Sequence, residues 1–275
     1  MLKDVVVNVS GRAPQDYAAE YAVSVAAMFG AHVVGISFLY EPVIPDGTLG
    51  GVPIDLIELQ REENSKAAKD AVGRFEAAVK QAGVSAETRI LDATFGGAAT
   101  LFAQIARRFD LAVVGQAQAE HGASDDLMIE GALFESGRPL VVVPYIQKRG
   151  LTLERVLVCW DGGRTAARAV GDAMPFLERA KAVDIVIVAE ERKNDEITGA
   201  TMSEHLARHG VAAQVKRLAR GDIAIEDVIL SYAADSGADF MVMGGYGHSR
   251  LREFILGGVT RGILASMTLP VLMSH

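Results

Sequence analysis

Residues Val242–Ser274 read VMGGYGHSRLREFILGGVTRGILASMTLPVLMS. The short apolar run Phe240-Met241-Val242-Met243 has the length and composition of a buried strand, and it leads directly into Gly244-Gly245-Tyr246-Gly247. A glycine turn at a strand's end lets backbone N–H groups approach a ligand with no Cβ in the way. After nine intervening residues Gly247 is followed by Gly257-Gly258-Val259-Thr260 and a helical stretch. A glycine pair at a helix start presents unpaired N–H groups and the positive end of the helix dipole, which suits a phosphate. Leu269-Pro270-Val271-Leu272-Met273 supplies a further strand. The stretch therefore reads as strand, glycine loop, helix, strand.

Working outward, the same unit is written twice. Asp4-Val-Val-Val-Asn-Val-Ser-Gly11 aligns with Arg155-Val-Leu-Val-Cys-Trp-Asp-Gly162 at an offset of 151. Gly83 matches Gly210 at 127, Asp110 matches Asp239 at 129, and Pro139 matches Pro270 at 131. The second copy is therefore shorter after its second strand, where length variation belongs in a loop and helix rather than in a core strand. We expect domains at 1–147 and 151–275, each of ordinary size, joined by a short polar link that includes Lys148-Arg149-Gly150.

Strands are expected over Val5–Val9, Val33–Phe38, Glu87–Leu91, Leu111–Val114 and Leu140–Val143 in the first copy. The second copy should place them over Val156–Trp160, Asp184–Val188, Ala213–Leu218, Phe240–Met243 and Val271–Met273. The runs are continuous and β-branched rather than alternating, as in strands buried on both faces. Helical stretches are expected over Tyr17–Phe29, Ile54–Ala82, Ala98–Arg108, Ala166–Ala180, Ala200–Arg208 and Ile223–Ser236. Such alternation gives an α/β class of two tandem, doubly wound, parallel five-stranded sheets of Rossmann-like type. Ligands in such sheets lie at the carboxyl ends of the strands, where the winding reverses.

The spacing Gly244-x2-Gly247-x9-Gly257, together with the repeat, resembles the universal stress protein family, and the resemblance covers both copies. It implies ATP, with or without Mg, held in the second copy between two backbone segments: Gly244 and Gly247 on one side, Gly257, Gly258 and Val259 on the other. Asp161 matches the aspartate that accepts from the adenine amino group in the family, and Val188 the residue whose backbone faces the base. Met243 would line the pocket. Gly258 departs from the family pattern, where Ser or Thr is usual. In the first copy Ser10 replaces the aspartate, Gly115 is followed by Gln-Ala-Gln-Ala, and Asp125 and Asp126 stand where phosphates would lie. Nucleotide is therefore expected in the second copy alone. The family commonly dimerises through its fifth strand, so the chain should resemble such a dimer made within one polypeptide, with a homodimer open beyond that.

The residues have competing explanations. Asp161 is equally a helix cap, Val188 and Met243 equally core residues. His248, Ser249 and Arg250 fit phosphate contacts or an exposed loop. His205 and His209 have metal-ligand spacing, but no third ligand type stands with them; a solvated helix face and no metal are expected. Cys159 stands as a small buried hydrophobe. One cysteine excludes an intrachain disulfide framework, and the sequence contains no P-loop, no nucleophile elbow and no HExxH. No dedicated catalyst is expected; at most, a weak ATPase. A net charge of −8 argues against nucleic acid and anionic lipid, and no apolar run approaches a bilayer's span, so a cytoplasmic protein is expected. Two other classes stay open: a cofactor binder like an electron-transfer flavoprotein subunit, and a structural or interaction protein without nucleotide.

Overall fold

The computed structural model describes residues 1–11, 15–41, 54–118, 124–189, 199–246 and 258–275. The chain divides into two compact units, Leu2–Ser136 and Gly137–His275, the latter with Met1. The first unit contains β1 (Asp4–Asn8), α1 (Tyr17–Phe29), β2 (His32–Tyr40), α2 (Ile54–Ala82), β3 (Ala86–Ala93), α3 (Gly97–Ala106), β4 (Leu111–Gly115) and α4 (Ser124–Glu135). Its strands pair in the parallel order β3-β2-β1-β4. β1 and β4 lie side by side with Val5–Val7 and Leu111–Val113 wholly buried, which is why these runs carry no polar alternation.

The second unit opens with β5 (Leu140–Val143) and continues through β6 (Val156–Cys159), α5 (Arg164–Leu177), β7 (Val183–Ala189), α6 (Gly199–Arg208), β8 (Ala213–Ala219), α7 (Ile225–Ser236), β9 (Phe240–Gly244), α8 (Gly258–Ser266) and β10 (Val271–Ser274). Strands β6 to β10 pair in parallel in the order β10-β9-β6-β7-β8. The chain winds outward from β6 to β8 and then returns to the other side of β6 with β9. The fold is thus the doubly wound α/β class that the strand–helix alternation implied. The two fifth strands meet edge to edge: β5 runs antiparallel to β10, with Val142 opposite Val271 and Leu140 opposite Met273. Such pairing covers an apolar edge that would otherwise attract another chain.

Helix α4 was not foreseen. Its Ser124-Asp125-Asp126 start places two carboxylates in the first turn, where the helix dipole favours them. Its Gly131 brings the backbone against Ala99 of α3, leaving only 3.1 Å between a hypothetical Cβ and the Ala99 carbonyl oxygen.

One carboxylate in each unit holds the amino end of the sheet. Asp110 accepts from the N–H groups of Lys3 and Asp4, and Asp239 from those of Glu154 and Arg155. In the second unit Asp184, 1% exposed on β7, adds a buried charge. Its Oδ2 takes the Arg155 guanidinium at 2.8 Å and the Tyr232 hydroxyl of α7 at 3.1 Å. Burial and this carboxylate together push the Tyr232 phenol above its ordinary pKa. Arg155 is one-third exposed, so part of its charge stays solvated. Replacing Arg155 with Met leaves Asp184 buried with only the Tyr232 hydroxyl. Urea unfolding should then show a loss of roughly 2–3 kcal/mol, below the 3–5 typical of a fully buried pair.

Candidate functional site

The winding reverses between β6 and β9, and in sheets of this kind the crevice that takes ligands lies outside the carboxyl ends of the strands at such a reversal. The register brings four of the eight expected residues to this level. Val158 of β6 pairs with Val242 of β9, which sets Cys159 level with Met243. Cys159 pairs with Val186 of β7, and Trp160 donates its N–H to the Val186 carbonyl at 2.9 Å, so Asp161 comes level with Val188. Asp161, Val188, Met243 and Gly244 therefore cluster at one end of three neighbouring strands. Met243 is buried and Val188 half-buried, as their dual reading as core residues allows.

Asp161 is exposed and begins the turn into α5. Gly162 takes φ +74°, a conformation that suits glycine, and Gly163 caps the helix from an extended conformation. The Asp161 Oδ1 accepts the Gly163 N–H at 2.7 Å, while Oδ2 has no hydrogen bond among the described residues. The side chain therefore shapes the turn with one of its two oxygens.

Gly244 ends β9 for a reason that has nothing to do with a ligand. A Cβ there would stand 2.6 Å from the Ala166 nitrogen and 2.6 Å from the Thr165 Oγ1, both in the first turn of α5. The glycine is what lets α5 lie across the end of β9. Beyond it the chain is pinned twice. Gly245 donates to the Ser274 carbonyl at 2.9 Å, and Tyr246, at φ +47°, donates its N–H to the Thr260 Oγ1 at 3.2 Å. Thr260 is buried in the first turn of α8, so this hydrogen bond draws Gly258 and Val259 to the end of β9. A Cβ on Gly258 would meet nothing within 4 Å, leaving open space at the start of the helix. Gly247 and Gly257 lie outside the described residues, as do His248, Ser249 and Arg250. Thr260 escaped the sequence reading, since a hydroxyl on the inner face of a helix gives no motif.

The first unit is built differently at the same level. Ser10 donates its N–H to Asp16 at 2.6 Å, and Asp16 also caps α1 through the Ala19 N–H at 3.0 Å. Desolvation raises the Asp16 pKa against the lowering effect of these hydrogen bonds. Gly11 packs on α2 so closely that a Cβ would meet the Ala67 carbonyl oxygen at 2.6 Å. Helix α2 thus lies on the loop that follows β1. A cavity of about 410 Å³ does occur in this unit, but on the outer side, between the ends of β2 and β3 and helix α2. Among the described residues Glu41, Glu62 and Asp92 line it against the single cation Arg61, which disfavours a polyphosphate.

Comparison with known proteins follows this division. Residues 152–275 match the model of the universal stress protein family. The second half of this chain is thus similar to that family. A curated universal stress protein of Synechocystis sp. is 24% identical over 233 residues, covering 80% of this chain and 76% of its own length. The fold extends over both halves: a universal stress protein from Archaeoglobus fulgidus superposes with a TM-score of 0.73 at 18% identity, covering 98% of this chain and 95% of that one. A functionally unknown protein from Pseudomonas aeruginosa PAO1 gives 0.61 at 15% identity, over 99% and 92%. No described helix is long and apolar enough to cross a membrane. Among the described residues no three His, Cys, Asp or Glu side chains group as metal ligands.

Two outcomes follow from the crevice. Gly244→Ala should cost about 1–3 kcal/mol in thermal or urea unfolding, because the methyl group meets α5 backbone that cannot swing aside. Cys159, part-exposed at the end of β6, has its thiol pushed up to about 12 by desolvation and by the adjacent Asp161 carboxylate. Alkylation at pH 8 should accordingly be slow, and Asp161→Asn should speed it by removing the second cause. Equal rates in the two proteins would place Asp161 away from the thiol.

Proposed function

We propose that the second copy of this chain binds one adenine nucleotide, ATP with or without Mg, and that the first copy binds none. The observation that carries this reading is the meeting of Asp161, the end of β9 and the start of α8 at the reversal between β6 and β9. Asp161 takes the base through its Oδ2, accepting from the adenine amino group, while the Val188 backbone flanks the ring. Gly258 and Val259 offer backbone N–H groups at the positive end of α8, and Gly244 with Gly247 and Gly257 complete the loop around the phosphates. The first copy contrasts at each point: Asp16 takes up the Ser10 N–H, α2 packs on Gly11, and Asp125 and Asp126 begin α4. The work done is recognition. Nothing in the described crevice is placed to activate water, so turnover of ATP is expected to be slow or nil. A cytoplasmic setting, where ATP is available, fits this reading.

The Asp161–Gly163 hydrogen bond supports a second reading, in which Asp161 serves only to cap the turn. Calorimetry with MgATP and MgGTP separates the two. The wild-type protein should bind ATP at close to one per chain, and two per chain would contradict the assignment of the first copy. Asp161→Ala should weaken ATP by roughly 1.5–3 kcal/mol, about ten- to a hundredfold, since the lost acceptor is charged. GTP should lose far less, because a carboxylate repels the guanine carbonyl oxygen. An unchanged ATP/GTP preference would leave Asp161 as a cap alone.

A further inference from the structure

Helix α6 ends in a pair of imidazoles. His205 lies in its last turn and His209 immediately after it, four residues apart and both exposed. Their rings stand edge to face with centroids 4.8 Å apart, so the two side chains already share one side of the helix end. The turn beneath them is closed tightly. His209 donates its N–H to the Leu206 carbonyl at 2.9 Å and Gly210, at φ +79°, donates to that of Ala207 at 3.0 Å. This holds the His209 backbone in register with the helix instead of letting it fray. The position also favours a cation, because the carboxyl end of a helix carries partial negative charge.

We propose that His205 and His209 form a bidentate, exchangeable site for a borderline transition-metal dication, Cu2+ ahead of Ni2+, with water filling the remaining positions. Two neutral imidazole nitrogens at i and i+4 are a chelating pair of the kind that helical zinc sites use for two of their ligands. With only two protein ligands the closed tetrahedral arrangement of structural zinc is out of reach. A tetragonal ion that accepts nitrogen in its plane and water elsewhere suits the pair better, and affinity for such donors rises through the series to Cu2+. Oxygen-seeking Mg2+ and Ca2+ find no donor set here. Bound metal would tie the last turn of α6 to the residue that follows it and so stabilise the second unit.

The test uses the full chain, free of nucleotide so that phosphates do not compete, titrated with CuCl2 and read by electron paramagnetic resonance. The tightest bound Cu2+ should show two equatorial imidazole nitrogens, and its addition should raise the melting temperature. His205→Ala and His209→Ala should each weaken that binding about a hundredfold, because the second imidazole binds intramolecularly at high effective concentration. Thr201→His combined with His209→Ala rebuilds the i, i+4 pair one turn earlier and should restore both affinity and signature. Circular dichroism verifies that the variants keep their helices. The proposal is overturned if either single variant binds Cu2+ as tightly as the wild type, if the two-nitrogen signature survives in His205→Ala, or if the rebuilt pair fails to restore it.

Discussion

The close approach of α5 to the end of β9 is the constraint on which the second unit's crevice depends. The first turn of the helix comes so near Gly244 that even a methyl group there would collide with backbone. That contact fixes where α5 begins, hence how short the Asp161-Gly162-Gly163 turn must be, hence where the Asp161 carboxylate stands. It also fixes the direction in which the chain leaves β9, which the Gly245–Ser274 and Tyr246–Thr260 hydrogen bonds then hold. A glycine that resembles a ligand residue by its place in a motif is thus required first by packing. The two roles are compatible, because the packing consumes the space of the absent Cβ while a ligand would meet the loop beyond it.

Comparison of the copies shows which interactions build the fold and which distinguish the second crevice. Asp110 and Asp239 hold the amino ends of β1 and β6 in the same way, and Gly131 and Gly262 each permit a close helix–helix contact, against Ala99 of α3 and Glu226 of α7. These pairs keep the offsets of 129 and 131 seen in the sequence. They are part of the scaffold. Elsewhere the copies part company. Gly115, the counterpart of Gly244, leaves 3.9 Å to the nearest side chain, so α1 does not crowd β4 as α5 crowds β9. Ile129 stands where the second copy has Thr260, so the first copy lacks the hydroxyl that ties helix to strand end.

Most of the fold was legible because its strands are buried on both faces and therefore spell unbroken apolar runs. Val5–Val7 and Val156–Val158 announce themselves through composition alone. The repeat then supplied the topology, since a fifth strand matched at Pro139 and Pro270 has its place in each copy. Helix α4 was not legible: its apolar residues cluster as Leu127-Met128-Ile129 and Ala132-Leu133, without the clean spacing that marks one face. Nor were the contacts that shape the crevice. The Thr165–Gly244 approach joins residues far apart in the chain and the Tyr246–Thr260 hydrogen bond joins residues 14 apart, and no local pattern encodes either.

The departure at Gly258 can be weighed in these terms. A Ser or Thr there would add one hydroxyl, worth about 0.5–1.5 kcal/mol as an ordinary net hydrogen bond. The first turn of α8 owes its place to other interactions: Thr260 ties it to Tyr246, and Gly262 seats the helix against Glu226 of α7. The backbone N–H groups and the dipole end therefore keep their orientation whatever side chain stands at 258. Losing the hydroxyl removes one donor from the proposed phosphate site, whereas losing Thr260 would release the helix end on which that proposal rests. Position 260 therefore has the larger hold on the geometry of this crevice, although the motif is written around position 258.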